Sequence, residues 1–273
     1  MRKLSLLFVL PFIIFISCSK EDGVEEEEIK KNFTDVFIAH AGGAIEGFTY
    51  TNSLEALDLS YSKGCKLFEL DIEETSDGKL VAVHDWKYYK TITNYSGSID
   101  DTPLTEEQFL SLKIHEKFTP VNMEKINEWF VKHKDAILVT DKINNPTEIL
   151  HKGFLFKDRL MMELFTWEAV EEAIKEGIKP MPSEGLIFQS DTPIPDIEKK
   201  LSGLNIKYIA ISRTLIEGNK DFLKRLKEKG IKTYVFHVNY GGKDEQYVLE
   251  NEIDYIHGMY ADNLDLIQQK NRK

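Results

Sequence analysis

From about Thr34 to the C-terminus, short β-rich runs alternate with amphipathic helical runs, and this alternation constrains the fold more than any other feature. "DVFIAH" reads as a strand, and "NSLEALDLSYSKG" as a helix stopped by Gly64. "KLFELDIEE" and "KLVAVHD" read as strands joined by the turn "TSDG". After a polar stretch at 86–122, "MEKINEWFVKHKD" is helical and "AILVTD" a strand. "RLMMELFT", "GLIFQS", "KYIAIS", "KTYVFHVN" and "DYIHGMYA" are further strands, with helices expected near 167–177, 193–203, 219–229, 243–251 and 263–270. Roughly eight β segments separated by helices imply a parallel sheet. An open doubly wound sheet and a closed (β/α)8 TIM barrel compete. The span from 34 to 273 suits a barrel of about 250 residues. No Gly-x-Gly-x-x-Gly turn follows the first strand, which argues against a dinucleotide fold. The barrel is the expected fold, with 86–122 as a small insertion after an early strand.

Ahead of the barrel lies "MRKLSLLFVLPFIIFIS", a basic start followed by an apolar stretch, which reads as a signal peptide over residues 1–17. Cys18 follows at the cleavage point, and the segment resembles a bacterial lipoprotein signal whose cysteine is lipidated. Residues 18–33, with "EDGVEEEE" at 21–28, form an acidic linker. The expectation is export across the inner membrane and anchoring as a lipoprotein at the outer membrane or cell surface, where "CSKEDG" is similar to a surface-export tag. The other cysteine, Cys65, has no partner if Cys18 carries lipid, so a disulfide framework is excluded. A net charge of −11 argues against nucleic acid as a partner.

In a barrel, functional residues sit at the C-terminal ends of strands. His40 ends the first run. Glu69 and Asp71 lie two apart on the second and share a face, with Leu70 opposite. His84 and Asp85 end the third, and Asp141 ends the strand near 136–141, on the face of Val139. Burying Glu69 and Asp71 together is costly without a counter-charge. Three carboxylates with no cysteine suit a hard ion such as Ca2+ or Mg2+. Each residue taken alone has an ordinary structural explanation as a cap, turn or ion pair; their gathering at four strand ends favours function.

The segments "FIAHAGG", "TNSLEAL" and "LFELDIEETSDGKLVAVHD" resemble the glycerophosphodiester phosphodiesterase family. Its pattern runs His-Arg-Gly, Glu-Asn-Thr, Glu-x-Asp and His-Asp, and His40, Asn52, Glu69, Asp71, His84 and Asp85 stand at matching places. "DTPLTEEQFLSLKI" resembles the family's insertion. The resemblance implies a TIM barrel and a divalent ion held by Glu69, Asp71 and Asp141, the last where a glutamate is more usual. It implies His40 and His84 as general acid and base, acting on a small or lipid-derived phosphodiester. The attack it implies is by the neighbouring glycerol hydroxyl, through a cyclic phosphate that water opens. Two departures stand out: Ala41 replaces the arginine of His-Arg-Gly, and Thr51 replaces the glutamate of Glu-Asn-Thr. Arg213, Lys142 or Lys87 could hold the phosphate instead. His237 and His257 lie near late strand ends, and Phe236 suits an apolar substrate wall. Two alternatives remain open at this point: a phospholipase-type or glycerophosphate-polymer hydrolase, and a catalytically degenerate surface binding lipoprotein.

Overall fold

The structure, a computed structural model, describes residues 35–189 and 192–270. The signal segment, Cys18, the acidic linker and Thr34 lie outside the described residues. Strands β1 (Phe37–Ala39) and β2 (Leu67–Glu69) are joined by helix α1 (Leu54–Ser62). An antiparallel hairpin, β3 (Ile72–Glu74) and β4 (Leu80–Ala82), then leads to α2 (Trp86–Ile92), α3 (Glu106–Ser111) and α4 (Met123–Lys132). There follow β5 (Ile137–Thr140), α5 (Pro146–His151), β6 (Leu160–Leu164), α6 (Trp167–Glu176), β7 (Lys179–Pro182), α7 (Glu184–Phe188) and α8 (Ile194–Gly203). The chain continues with β8 (Tyr208–Ser212), α9 (Ile216–Glu228), β9 (Lys232–Phe236), α10 (Glu245–Asn251), β10 (Gly258–Ala261) and α11 (Asp265–Lys270).

Among the described residues, eight strands pair in parallel in the order β7-β6-β5-β2-β1-β10-β9-β8. A bridge between Ser183 and Ala210 brings the two edges together. The result is the expected (β/α)8 barrel. Ser183 N–H donates to the Leu164 carbonyl, so odd-numbered positions of β7 face β6. By alternation, Pro180 and Pro182 face β8, and a proline has no N–H to give. The β7–β8 seam is accordingly joined by one isolated bridge, where β8 and β9 pair over five residues.

Side-chain alternation builds two apolar layers. Ile38, Leu67, Val139, Met161, Met181, Ala210, Tyr234 and Tyr260 fill the barrel interior. The opposite faces, among them Phe37, Phe68, Leu138, Met162, Ile211 and Val235, pack under the surrounding helices. Leu70 joins that outer layer, which leaves Glu69 and Asp71 on the inner side as parity requires.

Three expectations need correction. "KLFELDIEE" is two strands, because the chain leaves the barrel at Leu70–Asp71: Leu70 N–H still bonds the Val139 carbonyl, whereas the Asp71 carbonyl accepts from Val83 of the hairpin arm. His84 therefore follows a hairpin strand rather than a barrel strand. The polar segment 86–122 packs as a layer beside the barrel. It carries α2 and α3, and with Ile45, Val81 and Val83 it forms its own cluster around Trp86, Tyr89, Phe109, Ile114 and Phe118. "GLIFQS" lies in the helix Glu184–Phe188 as far as Phe188, and the strand is the preceding "KPMP". A short apolar run does not distinguish strand from buried helix, and the prolines masked the real strand.

Candidate active site

Above the interior apolar layer, the next inward positions at the C-terminal ends of the strands are polar. They line a cleft of about 610 Å³ that includes His40, Glu69, Asp71, Asp141, Glu163 and Asp262. That size suits a small-molecule ligand, for which cavities run from about 300 to 1,000 Å³.

Glu69 ends β2 and Asp141 follows β5, neighbouring strands whose register sets Glu69 opposite Val139. Asp71 swings in where the chain leaves the barrel. One oxygen from each of these carboxylates lies within 4.8 Å of the others. Asn52 fixes Asp71 twice, donating from Nδ2 to Oδ2 at 2.9 Å and accepting the Asp71 N–H at 3.1 Å. The Ala41 N–H donates to Glu69 Oε2 at 2.6 Å. Among the described residues, Glu69 Oε1 and Asp141 Oδ1 are buried with no hydrogen-bond partner. Burial and mutual repulsion push the Glu69 carboxyl well above its ordinary range, and Asp141 up to about 6. Buried, convergent, unpartnered carboxylate oxygens fit a hard divalent cation.

His40 caps β1. Its Nδ1 lies 3.0 Å from Asp262 Oδ1, one residue past β10. Burial pulls the imidazole down, but the Asp262 hydrogen bond and the charges of Asp262, Asp71 and Asp141 outweigh it and raise the pKa. His84 Nδ1 lies 2.8 Å from Asp85 Oδ2, while Asp85 Oδ1 caps α2 through the Tyr88 N–H at 2.7 Å. In both histidines a carboxylate occupies Nδ1, which leaves Nε2 for proton transfer. The Tyr50 ring meets both imidazoles edge-on, with centroids 4.5 Å from His40 and 4.8 Å from His84.

The phosphate-binding candidates separate. Lys142 lies beyond the end of β5, where the chain no longer follows strand alternation, and its Nζ comes to 3.8 Å from Asp71 Oδ1. Arg213 is turned away: its guanidinium donates to Glu252 Oε1 at 2.8 Å and to the Tyr240 carbonyl at 2.9 Å, and it does not line the cleft. It fastens the 237–242 loop instead, because the strand β8 ends at Ser212 and the chain turns into a 3-10 turn there. Lys87 is exposed at the start of α2, away from the cleft lining. His237 and Phe236 do line the cleft, Phe236 edge-on to Tyr260 at 6.3 Å. His257 precedes β10 at the opposite end of the barrel and pairs with Asp35 at 3.3 Å.

Among the lining residues that carried no sequence expectation, Glu163, Asp262 and Tyr50 contact or flank the groups already described. Glu163 on β6 accepts from Ser183 Oγ at 2.5 Å and from the Tyr260 hydroxyl at 3.4 Å. Burial pushes its carboxyl up to about 8, so it is largely protonated at neutral pH. It shares parity with Met161, and a glutamate facing into a barrel strand was the available signal. Asp262 lay one residue beyond the last apolar run. Tyr50 sits in a loop at φ 55°, and no periodicity marks it.

Fold and cleft together define a TIM-barrel protein whose acidic triad and paired histidines gather at the C-terminal mouth. Residues 40–178 match the model of the Glycerophosphoryl diester phosphodiesterase family, half of the chain, and the chain belongs to that family. A glycerophosphodiester phosphodiesterase of Caldanaerobacter subterraneus is 26% identical over 199 residues, 67% of this chain and 80% of that one. The crystal structure of glycerophosphodiester phosphodiesterase from Thermotoga maritima aligns with a TM-score of 0.64 at 19% identity, covering 86% of this chain and 97% of that one. An Oleispira antarctica phosphodiesterase, in complex with the product sn-glycerol-3-phosphate, aligns with a TM-score of 0.64 at 20% identity, covering 89% and 99%.

Proposed function

We propose that the chain hydrolyses glycerophosphodiesters, with a divalent cation, Ca2+ or Mg2+, held by Glu69, Asp71 and Asp141, and with His40 and His84 as the acid–base pair. The observation that carries this reading is the convergence of three carboxylates, two of them with unpartnered buried oxygens, beside two carboxylate-oriented histidines in one cleft. Family membership and the product held by the Oleispira antarctica relative support the substrate class. A bound divalent ion would offset the phosphate charge and polarise a phosphoryl oxygen. Asp262 and Asp85 orient the two imidazoles, so that one Nε2 can accept the attacking hydroxyl's proton and the other can donate to the leaving alkoxide. Asn52 holds Asp71 in place, and Lys142 adds positive charge at that side. The signal-like start and Cys18 support placement on a membrane as a lipoprotein, close to a supply of lipid-derived diesters.

The test is hydrolysis of glycerophosphocholine, glycerophosphoinositol, intact phospholipid and glycerophosphate polymer, each with Ca2+, with Mg2+ and with EDTA. Turnover of the small diesters that needs a divalent ion and falls by about 10²–10⁴ in His40→Ala and in His84→Ala is expected. Full activity in EDTA, or in His40→Ala, refutes the mechanism.

A further inference from the structure

We propose that the Tyr50 hydroxyl holds a non-bridging oxygen of the substrate phosphate, standing in for the cationic side chain that the cleft does not provide. The inference deepens the proposed function and rests on it for the identity of the phosphate. Among the described residues lining the cleft there is no lysine or arginine. Position 41 offers a buried methyl group, and its N–H is committed to Glu69. Lys142, with its Nζ 3.8 Å from Asp71 Oδ1, is drawn to the acidic triad and is not among the cleft-lining residues.

The polar donors of the lining can be assigned one at a time. Ser183 and Tyr260 donate to Glu163. Asn239 Nδ2 donates to Asp262 Oδ2 at 3.2 Å, and His237 Nδ1 pairs with Ser212 Oγ at 3.3 Å. Tyr240 is 66% exposed at the rim. Tyr50 differs from all of these. It lines the cleft and its ring meets both imidazoles edge-on, so it stands beside the histidine pair that would flank the reacting phosphorus. Its hydroxyl has no hydrogen-bond partner among the described residues, though the ring is half-buried. The phenol stays protonated throughout the working range, because burial and the nearby Asp262, Asp71 and Glu69 push it to about 12. It is therefore a fixed donor and not a competing acid or base. A neutral donor adds no charge that would repel the cation expected at the acidic triad, and the rigid ring has little rotamer freedom to lose.

Tyr50→Phe removes the hydroxyl and keeps the ring against both histidines. Expected is a fall of about ten- to a hundred-fold in kcat/KM on glycerophosphocholine, the range for one hydrogen bond to a charged group. Inorganic phosphate should bind the divalent-loaded variant more weakly by a similar factor in a direct titration. The melting temperature and the pH limbs should stay at their wild-type values, which a merely packing role of the ring would also give, so the phosphate titration decides. Wild-type phosphate binding in Tyr50→Phe overturns the assignment. If the wild-type protein hydrolyses none of the diesters, the proposed function fails on its own, and the phosphate titration still tests Tyr50.

Discussion

Replacing Asp141 with asparagine should make the metal-free protein more stable and should shrink the further stabilisation that a divalent ion gives. The carboxyl has an ordinary pKa of 3.8 and about 6 in the fold, raised first by burial and then by Asp71. A raised carboxylate pKa means that the folded state binds the proton more tightly. Below 3.8 the group carries no penalty, the penalty grows between 3.8 and about 6, and above that it is full. The displacement corresponds to about 3 kcal/mol, an upper limit because Asp141 borders the open cleft. For a domain of this size that is a rise in melting temperature of about 6–12 °C at most. The assay is thermal unfolding of wild type and Asp141→Asn at pH 8 and pH 4, with EDTA and with Ca2+ or Mg2+. In EDTA at pH 8 the variant should melt higher, and at pH 4 the two should converge. Divalent ion at a hundred times its dissociation constant should add about 2.7 kcal/mol to the wild type and markedly less to the variant. A variant that melts below wild type in EDTA at pH 8 refutes the strained buried charge, and one that keeps the full metal-induced shift refutes the role of Asp141 in a cation cradle.

Two further substitutions probe the neighbouring groups. Asp262→Asn removes the contact that raises His40, so the limb of the pH–rate profile belonging to His40 should move to lower pH. Movement of the acidic limb identifies His40 as the base, movement of the alkaline limb as the acid, and an unmoved profile refutes the pairing. Glu163→Gln replaces a carboxyl raised from 4.5 to about 8. The wild type should lose stability as pH rises between those values and the variant should lose less, as read by melting temperature from pH 5 to pH 9; parallel curves would show that Glu163 is not buried as a neutral acid.

Much of this site was legible because strand parity is a strong rule. The two-residue spacing of Glu69 and Asp71, and the place of Asp141 at the end of "AILVT", sufficed to predict convergent carboxylates. His40 followed from the end of the first strand. His84 was found for an inexact reason, since the hairpin and not the barrel presents it. The residues that escaped are those whose position depends on closure. Asp262 reaches His40 only because β10 lies beside β1, 222 residues away in sequence. Tyr50 depends on a left-handed loop conformation that no pattern reports. Arg213 turns from the cleft because its side chain is committed to Glu252, one residue past α10, a partner that sequence spacing could not supply. The proline-bearing β7 escaped because propensity speaks against it, and tertiary pairing with β6 overrides propensity there.

The β7–β8 seam also determines how this barrel comes apart. With one bridge where other neighbours have ladders, it is the contact that opens at the lowest free energy, and amide exchange at Ala210 should outpace that at Val235. The two edges exposed by such an opening are unequal. The prolines of β7 cannot template an incoming strand, whereas "YIAIS" of β8 keeps every N–H. A breached barrel would thus present a single adhesive edge. That favours reclosure or pairing with one other opened molecule over growth in both directions, so a stressed preparation should accumulate dimers before fibres.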